Sequence, residues 1–111
     1  MLSCISHCCG GAKVSPGDQD ALRDILSTAN DLKSKSQNKA AIQKYEEALQ
    51  ILGERRGQEI KEYKKDIYYN MGVCYQNMGE VAKAIEAHRD ALSNGKHLSE
   101  RHISALEKES L

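Results

Sequence analysis

Tyr68-Tyr69-Asn70-Met71-Gly72-Val73-Cys74-Tyr75-Gln76-Asn77-Met78-Gly79 carries the densest set of structural signals in this chain. Its apolar residues belong to a longer series, Ile60, Tyr63, Ile67, Met71, Cys74, Tyr75 and Met78, that recurs at steps of three and four. That spacing predicts one face of a helix, and Gly79 is placed to end it. Immediately downstream comes Ala84-Ile85-x-x-His88-x-x-Ala91-Leu92, with small residues on either side of a ring. The same pattern stands 43 residues earlier as Ala41-Ile42-x-x-Tyr45-x-x-Ala48-Leu49. A repeat period of this size predicts stacked helical hairpins, each burying its apolar face against the next.

The flanking segments fit the same scheme. Leu22, Ile25, Leu26, Ala29 and Leu32 mark a helix over about 17–36, entered through Ser15-Pro16-Gly17-Asp18. A second helix is expected over 39–56, with Asn38 as N-cap and Gly57 as the stop, Gly53 being the competing stop. The third spans 58–78 and the fourth 80–94. A weakly patterned fifth, about 98–109, has only Leu98, Ile103 and Leu106 as strong apolar positions, as suits a helix that caps an array. No segment alternates with period two, so the expected fold class is all-α. Residues 1–14 lack helical periodicity and are expected to form a flexible tail before a helical domain over 15–111.

Composition narrows the functional classes. Sixteen basic and sixteen acidic residues give zero net charge, where a nucleic-acid binder shows a basic excess or stripe. Basic clusters exist at Lys33, Lys35 and Lys39, at Arg55-Arg56, and at Lys61, Lys64 and Lys65. Each is interrupted by acidic or polar residues. They are expected on solvated helix faces, with an acidic partner as the other reading. No stretch approaches the roughly 20 apolar residues of a membrane span, and the first residues lack the pattern of a secretory signal. A cytoplasmic protein is therefore expected, with membrane association only through lipidation.

Gly72, Tyr75 and Gly79, preceded by Tyr68 and Met71 and followed by Ala84 and Ala91, resemble a unit of the tetratricopeptide repeat family, with His88 in its aromatic slot. The spacing has a packing rationale. Gly72, Ala84 and Ala91 allow two antiparallel helices to approach closely, while Met71 and Tyr75 fill the space beside them. An earlier unit aligns through Ile25, Ala29, Leu32, Ala41, Tyr45 and Ala48, but has Thr28 in a usually apolar slot and Ser36 in place of the turn glycine. The period exceeds the common 34 residues. The surplus is expected to lengthen the helices around Gly57. A HEAT-type array has a similar period but not the Gly72/Tyr75/Gly79 spacing. The resemblance covers residues 21–95. It implies a right-handed α-solenoid of two helical hairpins plus a C-terminal capping helix.

The resemblance also implies where a partner would sit. First helices of such units line a groove, and an Asn two residues before the small packing residue bonds an extended peptide. Asn70 occupies that place, and Asn30, after Ala29, matches a position used by members that clamp a terminal carboxylate. Leu26 stands where such members carry a Lys. Tyr69, Asn70, Gln76 and Asn30 are thus the expected groove residues; the plain alternative for Asn70 is a solvated polar side chain. The implied function is an adaptor that binds a partner peptide or helix. The alternative is an assembly protein that self-associates or docks on a larger complex through its exposed ends, since two repeats are fewer than an array usually needs.

No catalytic motif, phosphate loop or cofactor site is evident, so neither an enzyme nor a cofactor is expected. Cys4, His7, Cys8 and Cys9 are metal-ligating types without the spacing of a zinc site. Cys4, Cys8 and Cys9 are better suited to S-acylation, which would anchor a soluble domain to a membrane; an inert tail is the bland alternative. Cys74 and His88 are expected to serve packing.

Overall fold

The computed structural model describes residues 14–109, and they form five helices: α1 Pro16–Ser34, α2 Asn38–Leu52, α3 Gln58–Asn77, α4 Val81–Ser93 and α5 Ser99–Glu109. Among the described residues there is no strand, and no helix is long and apolar enough to cross a membrane. Each helix packs chiefly on its neighbours in the chain, giving an elongated row 56 × 26 × 16 Å.

Local chemistry sets the helix ends. Ser15 Oγ accepts from the Asp18 amide at 3.2 Å, and Pro16 opens α1. At the other end, Ser36 adopts φ 63°, the Gln37 amide bonds the Leu32 carbonyl at 2.9 Å, and the Ser36 amide bonds that of Lys33 at 3.0 Å. This is a Schellman closure with Ser in the left-handed position usually given to Gly. Gly79, φ 78°, closes α3 the same way, through Glu80 to Tyr75 at 2.9 Å and Gly79 to Gln76 at 3.0 Å. The two closures stand 43 residues apart, so the period extends to the backbone of the turns.

Two expected boundaries shift. Asn38 is the first residue of α2 rather than its cap; Gln37 takes the cap position with no side-chain bond. The helix also stops at Leu52, not at Gly57, because Gly53 takes φ 58° and ψ −139°, a combination closed to residues with a Cβ. Gly57, φ 122°, instead precedes α3. The surplus of the long period therefore goes into the connection 53–57 and the twenty residues of α3, not into α2.

The core lies between the helices and is made of small and large residues in alternation. Leu22, Ala29, Ala41, Tyr45, Ala48, Leu52, Ile60, Ile67 and Cys74 are all buried. The expected close approach is present at Gly72, where an added Cβ would lie 2.6 Å from His88 Cε1. Val14, last residue of the expected tail, is buried, and its amide donates to Glu59 Oε1 at 3.0 Å. Leu98, expected within the last helix, precedes α5 and is 47% exposed. Leu106 and Ser99 supply the buried side of α5.

Candidate protein-interaction surface

Along one side of the row, α1 and α3 leave an open cleft of 410 Å³ in which Leu26 faces Tyr63, with Glu59, Glu62 and Asp66 along its edge. Their carboxylates already have partners. Glu59 accepts from Val14, Glu62 pairs with Lys65 at 2.7 Å, and Asp66 pairs with Lys96 at 3.0 Å. The hydrogen bond from Lys65 holds the Glu62 carboxyl below its ordinary range. Beyond the cleft, Lys33 Nζ donates to Asn70 Oδ1 at 2.7 Å. That bond orients the Asn70 amide, whose Nδ2 has no acceptor among the described residues. An oriented amide donor suits a peptide carbonyl.

The other expected groove residues are placed differently. Asn30 Oδ1 accepts the hydroxyl of Tyr45. Tyr45 is fully buried, and burial raises its pKa, so Asn30 satisfies a phenol that would otherwise lack a partner. Tyr69 and Gln76 are seven apart and share a helix face about 100° from Asn70. That face turns toward α4 and α5. The Tyr69 hydroxyl and His102 Nε2 are 3.1 Å apart, and Gln76 Oε1 and His88 Nε2 are 2.8 Å apart. The structure thus joins Asn70 with Lys33 and assigns Tyr69 and Gln76 to a cluster of rings.

In that cluster His88 stacks on His102 with centroids 4.6 Å apart, and Tyr69 meets both edge-on at 5.4 and 5.3 Å. Facing the Gln76 oxygen, His88 Nε2 is placed to donate; its Nδ1 is buried with no partner among the described residues. Burial first, and His102 second, push the His88 pKa down to about 4. His102 was not among the expected site residues. No sequence period joins positions 69, 88 and 102; only the docking of α5 does.

On the opposite side of α3, Tyr68, Met71 and Tyr75 floor a shallow groove of 230 Å³ edged by Glu46, Glu86 and Asp90. Partial burial, together with Glu86, raises the Asp90 carboxyl. Burial also raises the Cys74 thiol, as expected of a small core residue. Among the described residues no three His, Cys, Asp or Glu side chains are placed to hold a metal. Cys4, Cys8 and Cys9 lie outside the described residues. Comparison with family models and with curated proteins gives no match in either.

Proposed function

We propose that this chain is a right-handed two-hairpin array of tetratricopeptide type and works as an adaptor, holding a peptide or helix of a partner protein against the α1/α3 side. The row of sequentially packed helices supports the array, as do the matched closures at Ser36 and Gly79 and the Gly72–His88 approach. The observation that carries the function is the Lys33–Asn70 pair that joins α1 to α3, with one amide donor held ready. Asn70 and Lys33 are the contact residues of this reading. Tyr69, Gln76 and Asn30 serve it by holding the helices that present them.

The test is quantitative capture of partners from native cells by the intact chain, compared with Asn70→Ala and Lys33→Gln. The same partner must be lost with both variants while far-UV circular dichroism stays unchanged. Equal capture by all three proteins refutes the reading.

One observation favours the assembly alternative. Among the described residues nothing packs on the outer side of α5, and Leu98 is exposed at its start. Under that reading sedimentation shows more than one chain per particle, and Leu98→Asp returns it to one.

A further inference from the structure

The connection between α2 and α3 brings together basic residues that the sequence presents as two separate clusters. Arg55, Arg56, Lys61 and Lys64 line a single recess of 350 Å³, with Gly57, Ile60 and Asn94 completing it. Among the described residues no carboxylate lines the recess, although acidic and basic residues balance over the whole chain. The turn at Gly57, φ 122°, makes the juxtaposition by folding the Arg pair back beside the first turns of α3.

The charges in the recess are poorly compensated. The Arg56 and Lys61 side chains have no ion-pair or hydrogen-bond partner among the described residues. Lys64 Nζ donates to the Gly53 carbonyl at 3.1 Å, a neutral acceptor that leaves its charge intact. Arg55 Nη2 bonds Asp18 at 3.0 Å, but its Nη1 is buried with no partner among the described residues. The first turn of α3 lies against the same recess, and its cap, Gly57, offers no side-chain acceptor. Glu59 is turned to the Val14 amide. Several cations and free helix amides in one concavity repel one another unless an anion joins them.

The unpaired donors set the ligand class. A carboxylate has one charge and two oxygens, which a single Arg satisfies. Here the Arg56 guanidinium and the Lys61 and Lys64 ammonium groups remain, with the Arg55 charge beside them, for a dianion with three terminal oxygens, the description of a phosphate monoester. The lining offers no exposed apolar side chain that would enter a bilayer, since Ile60 is 1% exposed. A protein-borne phosphate fits better than a lipid headgroup.

We propose that the recess formed by Arg55, Arg56, Lys61 and Lys64 binds a phosphorylated side chain of a protein partner. The protein source of the phosphate rests on the adaptor reading above; the recess itself does not use the α1/α3 cleft. The test is a titration of the intact ¹⁵N-labelled chain, in low-salt buffer free of phosphate, with N-acetyl-phosphoserine amide, N-acetylserine amide and acetate. The expected result is saturable shifts at the Gln58, Glu59 and Ile60 amides with the phosphorylated probe alone. Arg56→Gln and Lys61→Gln each weaken binding about tenfold. Both residues are exposed, so the fold should survive, and circular dichroism verifies it. Lys39→Gln/Lys108→Gln, remote basic residues, leave affinity unchanged.

The proposal is overturned by absence of saturable shifts, by equal binding of acetate, or by equal loss in the remote pair. It is also overturned if vesicles of phosphatidylcholine with a phosphoinositide bind while the phosphoserine probe does not, which would assign the recess to membranes. Asn70→Ala must leave this titration unaltered, so failure of partner capture and failure of phosphate binding are read separately.

Discussion

Gly72→Ala tests the close approach on which the second hairpin is built. On an isolated helix the change stabilises by about 1 kcal/mol, because Ala is the better helix former. In this chain the new methyl would meet His88 Cε1 and Nε2 at 2.6 Å and Cδ2 at 2.7 Å, where carbon contacts settle near 3.5–4.0 Å. The imidazole cannot simply swing aside. Gln76 holds its Nε2 at 2.8 Å, and His102 is stacked on its face. Overpacking of this kind costs about 1–3 kcal/mol, and three ring atoms inside contact distance place it at the upper end. The net effect is a loss of about 2 kcal/mol, or roughly 10 °C in Tm for a domain this size. In a His88→Ala background the obstacle is gone and only helix propensity remains, so the same substitution should stabilise by up to about 1 kcal/mol. Urea unfolding followed at 222 nm for the four proteins of this cycle measures a coupling of about 3 kcal/mol. Stabilisation in both backgrounds, or a coupling below about 0.5 kcal/mol, refutes the Gly72–His88 contact.

The other predictions concern protonation, strain and burial. His88 is buried, with a folded pKa of about 4 against 6.5 when free. The neutral form's stabilisation is therefore complete above pH 6.5 and lost as pH falls toward 4. It amounts to up to about 3 kcal/mol. Urea midpoints at pH 7.5 and 5 should fall accordingly, and His88→Phe should flatten that profile. Ser36→Gly relieves a left-handed residue with a Cβ and should raise stability by about 0.5–1 kcal/mol, measured as a rise in Tm; a fall would contradict the φ of 63°. Cys74, fully buried with its thiol pKa raised by burial, should resist iodoacetamide in the native chain and react in urea, as peptide mapping by mass spectrometry will tell; native labelling would place it at the surface.

The helices were legible because their apolar residues keep a strict period, and Tyr45, Ala48, Ala84 and Ala91 are buried as the small–ring–small pattern requires. Two endings were not. Gly53 and Gly57 are both competent stops; the choice depends on Leu49 and Lys64 meeting the Gly53 backbone amide and carbonyl, which sequence does not display. Ser36 is a poor left-handed residue by propensity, yet the closure at Leu32 and Lys33 holds it there. Of the candidate site, Asn70 was locatable on its helix, but its orienting partner Lys33 is 37 residues away. Tyr69 and Gln76 differ from Asn70 only by their angle around α3. That angle acquires meaning once α4 and α5 are docked against it. The basic recess was visible as two charge clusters, and the turn at Gly57 that unites them was not.

The ties between α1 and α3 have a mechanical consequence. Lys33 of α1 bonds Asn70 of α3, Asp18 of α1 bonds Arg55 in the 53–57 connection, and the Val14 amide, just before α1, bonds Glu59 of α3, whereas α2 meets α3 through buried apolar side chains such as Leu52, Ile60 and Cys74. Each of these part-buried polar ties can be replaced by bonds to water at a net cost of about 0.5–1.5 kcal/mol, while apolar contacts resist separation over their whole area. The molecule is then a beam with a stiff spine and a yielding edge. It bends most readily by opening or closing the α1/α3 angle, with Gly53–Gly57 as the pivot. The proposed anion among Arg55, Arg56, Lys61 and Lys64 would sit on that pivot and act as its brake.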